Sequence, residues 1–146
     1  MKILFDTSVL VAAIVESHPM HSRALPWLQQ VKAAKTTDSF FISNHTLAEL
    51  YAILTTLPVK PKISPLTARR LIHDNIENSA RIISLSSSDY RDTVKQMSEL
   101  GLTGGIIYDA LIAKAAQKSK VDRLLTFNLD DFKRVWPDGE NFIHVP

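Results

Sequence analysis

The sequence predicts an α/β protein: a three-layer sandwich whose central, mostly parallel sheet of five strands carries helices on both faces. Three observations predict it. Five short apolar runs, at residues 2–5, 40–42, 81–85, 123–126 and 141–145, are too short for helices. The stretches between them carry apolar residues at helical spacing, the alternation that a parallel sheet requires. The chain has 146 residues, which fits one domain over 1–146, and roughly two-thirds of the surface of an extended chain of that size is buried on folding.

Lys2-Ile3-Leu4-Phe5 runs into Asp6-Thr7-Ser8, and the apolar run 9–15 follows. Strand, polar turn and helix is the economical reading, with Thr7 or Ser8 able to cap the helix. A second helix is expected over 21–35, from His21 to Lys35, with Leu25, Leu28 and Val31 on one stripe. Phe40-Phe41-Ile42 reads as a strand, and Ser43 or Asn44 then caps a helix to about Leu57 with Leu47, Leu50, Tyr51 and Leu54 at helical spacing. The connector 57–65 holds Pro58, Pro61 and Pro65, which no helix interior accepts. Ser64-Pro65 opens a helix to about Ala80. After the strand 81–85, Ser86-Ser87-Ser88-Asp89 caps a helix that Gly101 stops. A helix over 106–118, a strand over 123–126, a short helix over 130–134 and a last strand over 141–145 complete the chain.

Composition excludes several function classes. With 45% hydrophobic and 22% charged residues the chain is a globular protein, not a disordered one. It has no cysteine, hence no disulfide frame, thiolate nucleophile or Cys-ligated zinc. Its four glycines, at 101, 104, 105 and 139, make neither a dinucleotide fingerprint nor a Walker A loop. No nucleophile elbow G-x-S-x-G is present either. The run 9–15 falls far below the ~18 residues of a membrane span, and Asp6 interrupts the stretch that a signal peptide would need. A cytoplasmic protein with no membrane partner is expected.

In open parallel sheets, ligands gather beyond the carboxyl ends of the strands. Three acids in that region have awkward neighbours. Asp6 follows an apolar strand and precedes an apolar helix, as a helix cap or as a functional group. Glu49 lies off the Leu47–Leu50–Leu54 stripe, yet Ala48, Ala52 and Ile53 make its helix apolar on several sides, as in a buried helix. Asp109 sits in a first turn, where the helix dipole welcomes it, but with apolar residues on both sides. No basic residue nearby in sequence pairs with any of the three, so their convergence would demand a cation. An oxygen-only set without cysteine suits Mg²⁺ or Mn²⁺.

Four segments carry a resemblance: Phe5-Asp6-Thr7-Ser8, Leu47-Ala48-Glu49-Leu50-Tyr51, Tyr108-Asp109-Ala110-Leu111-Ile112-Ala113 and Leu125-Thr126-Phe127-Asn128-Leu129-Asp130-Asp131-Phe132. Together and in this order they resemble the PIN domain family, most nearly the VapC-type toxins of bacterial and archaeal toxin–antitoxin pairs. The resemblance covers nearly the whole chain. It implies a five-stranded parallel sheet and a Mg²⁺- or Mn²⁺-dependent endoribonuclease that hydrolyses RNA phosphodiester bonds. Asp6, Glu49 and Asp109 match the family's first three acids. Asp6 and Asp109 would be the main metal ligands, with Glu49 binding directly or through water. The fourth position is here Asn128, which can ligate or hold water but adds no charge; Asp130 and Asp131 can substitute or simply start a helix. Thr7 and Thr126 would support the set, Thr126 by orienting a water. A homodimer and a cognate antitoxin are implied as partners.

Two further expectations concern surfaces. A nuclease must hold a polyanion beside its own carboxylates. Lys60, Lys62, Arg69 and Arg70 are expected to touch RNA phosphates, and Lys114, Lys118, Lys120, Arg123, Lys133 and Arg134 are the second candidate group; solvated helix faces are the plain alternative. Trp27, Leu28, Val31, Leu50, Tyr51 and Leu54 look like more apolar surface than a monomer hides, in favour of association. His18 and His21 resemble a metal spacing without a third member, and His45, His73 and His144 have no constellation.

Rival readings are weaker matches. A haloacid-dehalogenase-type phosphatase needs an acid two residues after its strand-end aspartate, where this chain has Ser8. Gly101-Leu102-Thr103-Gly104 has the form of a KH-domain loop, but its middle residues are not basic. A catalytically impaired PIN-fold module that binds RNA or protein is the remaining alternative, since Asn128 reduces the acidic set.

Overall fold

The computed structural model describes residues 1–146 with the exception of Lys35 and Thr37. Its strands are β1 (Ile3–Phe5), β2 (Phe40–Ser43), β3 (Arg81–Ile83), β4 (Arg123–Leu125) and β5 (Ile143–His144). They form one sheet in the order β3-β2-β1-β4-β5, and every neighbouring pair is parallel. The helices are α1 (Thr7–Ile14), α2 (His21–Ala33), α3 (Asn44–Thr56), α4 (Pro65–Ile72), α5 (Ser87–Leu100), α6 (Ile106–Ser119) and α7 (Leu129–Val135).

Period-two geometry sends alternate strand residues to opposite faces. Ile3, Phe5, Phe40, Ile42 and Leu125 join a core with Val9, Leu10, Leu28, Val31, Leu50, Leu54 and Ile72 from α1 to α4. Leu4, Phe41, Leu124 and Ile143 join a second core with Met97, Leu111, Ile112, Phe132 and Val135 from α5 to α7. Both faces are covered, so these strands read as unbroken apolar runs and not as alternating ones.

The strand order reverses between β1 and β4. The chain moves from β1 outward through β2 and β3, then returns to β4 on the other side of β1. That is a topological switch point, where an open α/β sheet leaves a crevice beyond its carboxyl ends. Phe5 and Leu125 are in register across it. The next residue of each strand, Asp6 and Thr126, therefore emerges at the same edge.

Helix starts follow the polar residues. Ser43 accepts from the His45 amide and Ser64 from that of Thr67, while Ser86 and Asp89 form a reciprocal capping box. Gly101 (φ 68°) ends α5 in the left-handed region and Gly104 (φ 73°) shapes the turn before α6, which makes the KH-like spacing a helix stop and a helix start.

Several expectations need correction. The helix expected to reach Ala80 ends at Ile72 and passes into a π-helical turn, His73–Glu77. There Asn75 Nδ2 donates to the Leu71 carbonyl at 2.9 Å and competes for the acceptor of the next α-helical bond. The buried stripe of α2 is Ala24, Leu28 and Val31, with Leu25 half-buried; α2 is described to Ala33, and the expected end at Lys35 lies outside the described residues. In α3 Leu50 and Leu54 are buried, Leu47 is half-buried and Tyr51, Ala48 and Ala52 are exposed, so the helix is not buried on every side. Leu28, Val31, Leu50 and Leu54 thus enter the chain's own core, which removes most of the apolar-surplus argument for association. Among the described residues no helix is long and apolar enough to cross a membrane.

The edge that ends the sheet depends on a tight contact. A Cβ on Gly139 would run into the ring of Trp136, which stacks on Phe142 at 5.4 Å between centroids. Gly139→Ala should therefore cost about 1–3 kcal/mol through overpacking and lower the melting temperature by several degrees. An unchanged melting curve would show that the Trp136 ring moves aside freely.

Candidate active site

The end of β1 delivers Asp6 to the switch point. Its amide donates to the Leu125 carbonyl at 2.9 Å, extending the β1–β4 pairing by one residue. Its side chain is 2% exposed. Thr126 Oγ1 donates to Asp6 Oδ2 at 2.7 Å, and Ser8 Oγ donates to the same oxygen at 2.6 Å. Each hydroxyl also accepts: Ser8 Oγ from the Phe127 amide at 3.1 Å, Thr126 Oγ1 from the Asn128 amide at 2.9 Å. One carboxylate thus ties the start of α1 to the turn between β4 and α7. Asp6 occupies the position before α1, where the Thr7 and Ser8 amides help to lower its pKa, but its side chain makes no capping hydrogen bond.

α3 delivers Glu49 from its second turn, and α6 delivers Asp109 from its first, after Gly104-Gly105. Both are half-buried. Glu49 Oε1 is buried without a hydrogen-bond partner, as is Thr7 Oγ1. His45 Nε2 lies 3.6 Å from Glu49 Oε1, too long for a hydrogen bond. Burial lowers the pKa of the His45 imidazole, so it supplies no compensating charge at neutral pH.

The three acids and Asp131 share one electrostatic field. Asp109 is pushed up to about 7, first by burial, then by the charges of Asp6, Asp131 and Glu49. Glu49 is also pushed up to about 7, by burial and then by Asp6. Burial raises Asp6 as well, against the lowering effect of the Ser8 and Thr126 hydrogen bonds. Among the described residues no Lys or Arg makes an ion pair with Asp6, Glu49 or Asp109. Nor do any three Asp, Glu or His side chains already stand at metal-ligating spacing. The acids are coupled through charge and not through contact.

Asn128 is exposed and its side chain does not cap α7. Asp131, in the first turn of α7, acts on Asp109 and lies 3.7 Å from Arg134; Asp130 is exposed. Among the described residues Lys60, Lys62, Arg69 and Arg70 enter no ion pair, and Arg69 lines a cleft with Leu47 and Tyr51 of α3. Much of the second basic group is already engaged, with Lys114 on Asp92, Lys118 on Asp89 and Lys133 on Glu140. The His18–His21 pair serves local structure: His21 Nδ1 meets the Ala12 carbonyl and His18 Nδ1 accepts from the Met20 amide.

Three neighbours of the acids have roles that the sequence did not assign them. Ser8 holds Asp6, and His45 stacks on Tyr108 with ring centroids 5.1 Å apart. The available signals were the two-residue step from Asp6 to Ser8, the helical i, i+4 step from His45 to Glu49, and the adjacency of Tyr108 to Asp109.

Comparison with known proteins fits this geometry. A family model described as PIN domain matches residues 3–136. Ribonuclease VapC27 of Mycobacterium tuberculosis is 32% identical over 117 residues, covering 80% of this chain and 78% of that protein. Ribonuclease VapC40 of the same organism is 32% identical over 124 residues, covering 85% and 84%. In fold, the chain is similar to one in the crystal structure of VapBC2 from Rickettsia felis bound to a DNA fragment from their promoter, with a TM-score of 0.65, 24% identity and coverage of 99% and 98%. It is also similar to a chain of FitAcB from Neisseria gonorrhoeae, with a TM-score of 0.63, 17% identity and coverage of 98% and 95%.

The raised carboxylates make a test of stability against pH. Between their unfolded values near 4 and their folded values near 7, Glu49 and Asp109 bind more protons folded than unfolded. Without a divalent cation their contribution to stability therefore falls as pH rises through that window. Asp109→Asn should melt above the parent protein at pH 7.5 in chelator, and the gain should shrink at pH 5. A gain of equal size at both pH values would remove Asp109 from the coupled set.

Proposed function

The chain belongs to the PIN domain family, and from that premise we propose that it is a divalent-metal-dependent endoribonuclease, the toxin of a VapBC-type pair, acting in the cytoplasm as one domain over 1–146. The observation that carries the reading is the burial of Asp6, Glu49 and Asp109 in one field with no Lys or Arg partner among the described residues. Carboxylates about 4 Å apart repel by ~4 kcal/mol at an effective dielectric near 20. A cation turns that repulsion into attraction. The donor chemistry suits one, although the three carboxylates do not stand at ligating spacing in its absence: Glu49 Oε1 is buried without a partner, and both hydroxyls on Asp6 meet Oδ2, leaving Oδ1 without a hydroxyl. An all-oxygen donor set favours Mg²⁺ or Mn²⁺.

Asp6 and Asp109 would hold the ion, with Glu49 binding directly or through water and Asp131 supplying the fourth acidic charge beside Asn128. When bound, such an ion lowers the pKa of a water and offsets the charge that develops on the phosphodiester. The chain's own residues do the rest. Ser8 and Thr126 fix the Asp6 carboxylate, so it is not free to rotate away from the site. Glu49, pushed up to about 7 by burial and then by the charge of Asp6, can in its ionised form accept the proton of an attacking water. Thr126 also fixes the Asn128 amide, and with it the rim of the turn. Lys60, Lys62, Arg69 and Arg70, without internal ion pairs, hold the RNA phosphates. A second copy of the chain and a cognate antitoxin, which brings a basic residue to the carboxylates, complete the assembly.

Purified protein should cleave single-stranded RNA with Mg²⁺ or Mn²⁺ and stop in chelator. Asp6→Asn and Asp109→Asn should each lose more turnover than the ~10–100-fold typical of removing an outer partner of a metal ligand. Full cleavage in chelator would sink the metal reading, and near-normal turnover in either variant would remove that residue from the site. Neutralising Lys60, Lys62, Arg69 and Arg70 together should flatten the dependence of RNA affinity on salt, by ~0.7 in log–log slope per lost phosphate contact. An unchanged slope would move the search to Lys120 and Arg123. Sedimentation at micromolar concentration should give a dimer; a single monomeric species would count against the second copy.

A further inference from the structure

We propose that Tyr108, its ring held against His45, is a stacking platform for an unpaired base beside the bond that is cut. The proposal rests on the nuclease reading above and assigns a base-binding residue to the same site.

His45 comes from the first turn of α3 and Tyr108 from the first turn of α6. Their rings lie 5.1 Å apart between centroids and only 5° from parallel. Tyr108 is nevertheless 48% exposed, so core packing does not account for a large aromatic side chain there. The two rings line a cleft of about 340 Å³ together with Ala48, Glu49, Ala52 and Ile53. Ala48 and Ala52 are short and leave room for a flat group between α3 and α6. Ile53 and the two alanines supply apolar wall. Glu49 is the charged lining residue, and it also belongs to the acidic set.

That continuity decides what the cleft would hold. Tyr108 immediately precedes Asp109, and His45 stands one turn before Glu49 with Nε2 3.6 Å from Oε1. A planar group resting on Tyr108 therefore sits beside two of the three carboxylates. A nucleobase is planar, apolar on its faces and attached to a phosphate, which a cation held by the acids would engage. Every base has such a face, so stacking does not by itself read sequence. Bases inside a duplex are already stacked and cannot enter, which selects loops and single strands. Because the His45 ring orders Tyr108 in the free protein, little freedom is lost when a base arrives.

The test uses the full chain in chelator, where nothing is cut, with short single-stranded RNA carrying 2-aminopurine at successive positions. One position should be quenched by the parent protein. Quenching should persist in Tyr108→Phe and vanish in Tyr108→Ala, with affinity weaker by about tenfold or more. With Mg²⁺ added, Tyr108→Ala should raise KM by a similar factor with much less effect on kcat. A parent protein that cleaves single-stranded RNA while Tyr108→Ala equals it in quenching and KM overturns the platform alone, leaving the ring pair as a protein-facing surface. A parent protein that neither binds nor cleaves RNA overturns the nuclease reading, and the platform falls with it.

Discussion

The carboxylate of Asp6, buried at the point where the strand order reverses, is the constraint around which the rest is arranged. A charge at 2% exposure is tolerable only if hydrogen-bonded or neutralised. Its two hydroxyl donors come from opposite ends of the sequence, Ser8 two residues on and Thr126 a further 118 away. Folding must therefore bring β4 beside β1 before Asp6 is satisfied. The same two hydroxyls accept from the Phe127 and Asn128 amides and so fix the turn into α7 against the first turn of α1. Position and stability are set by one group, so a change at Asp6, Ser8 or Thr126 acts on both.

Much of the fold was legible because its physics is local. Phe40-Phe41-Ile42 has no polar alternation since both sheet faces are covered, and such a run between helical segments reads as a central parallel strand. Ser43, Ser64 and Ser86 announced helix starts through their capping chemistry. Less local matters were not legible. The end of α4 turns on the Asn75 side chain taking the Leu71 carbonyl, which no periodicity records. Ala48 and Ala52 counted as apolar residues in the sequence, and apolar neighbours suggested a buried helix. They are instead the floor of an open cleft, because small side chains serve to leave space as readily as to fill it.

The site shows the same division. Asp6, Glu49 and Asp109 stood out as acids in apolar company, and the field they share follows from the strand order. His45 had no constellation in sequence because its partner Tyr108 lies 63 residues away and meets it only through the packing of α3 on α6. Asn128 and Asp131 exchange emphasis for a similar reason. Along the chain, Asn128 occupies the turn beside Thr126; in space, the charge that reaches Asp109 is that of Asp131, one helical turn later. An uncharged turn residue followed by an acid in the first turn of α7 preserves negative charge near Asp109.

Charge is sorted across the molecule in a way that a surface of random ion pairs would not be. Lys114, Lys118 and Lys133 are held by Asp92, Asp89 and Glu140. The Lys133–Glu140 pair is exposed and contributes little stability, while the 2.7 Å Lys118–Asp89 bond is partly buried and holds the Asp89 carboxyl down to about 2. Their effect is to reduce the free positive charge of the last third of the chain. Lys60, Lys62, Arg69 and Arg70 enter no ion pair among the described residues, so their charge remains available to an external anion. On the nuclease reading the separation has a direct use. Unpaired cations beside unpaired carboxylates would attract each other if they were in contact, and the acids would then lose their affinity for a metal ion. Holding the cations on the proline-rich connector and α4 keeps the two apart until a polyanion and a divalent cation arrive together, each neutralising the charge that the other leaves exposed.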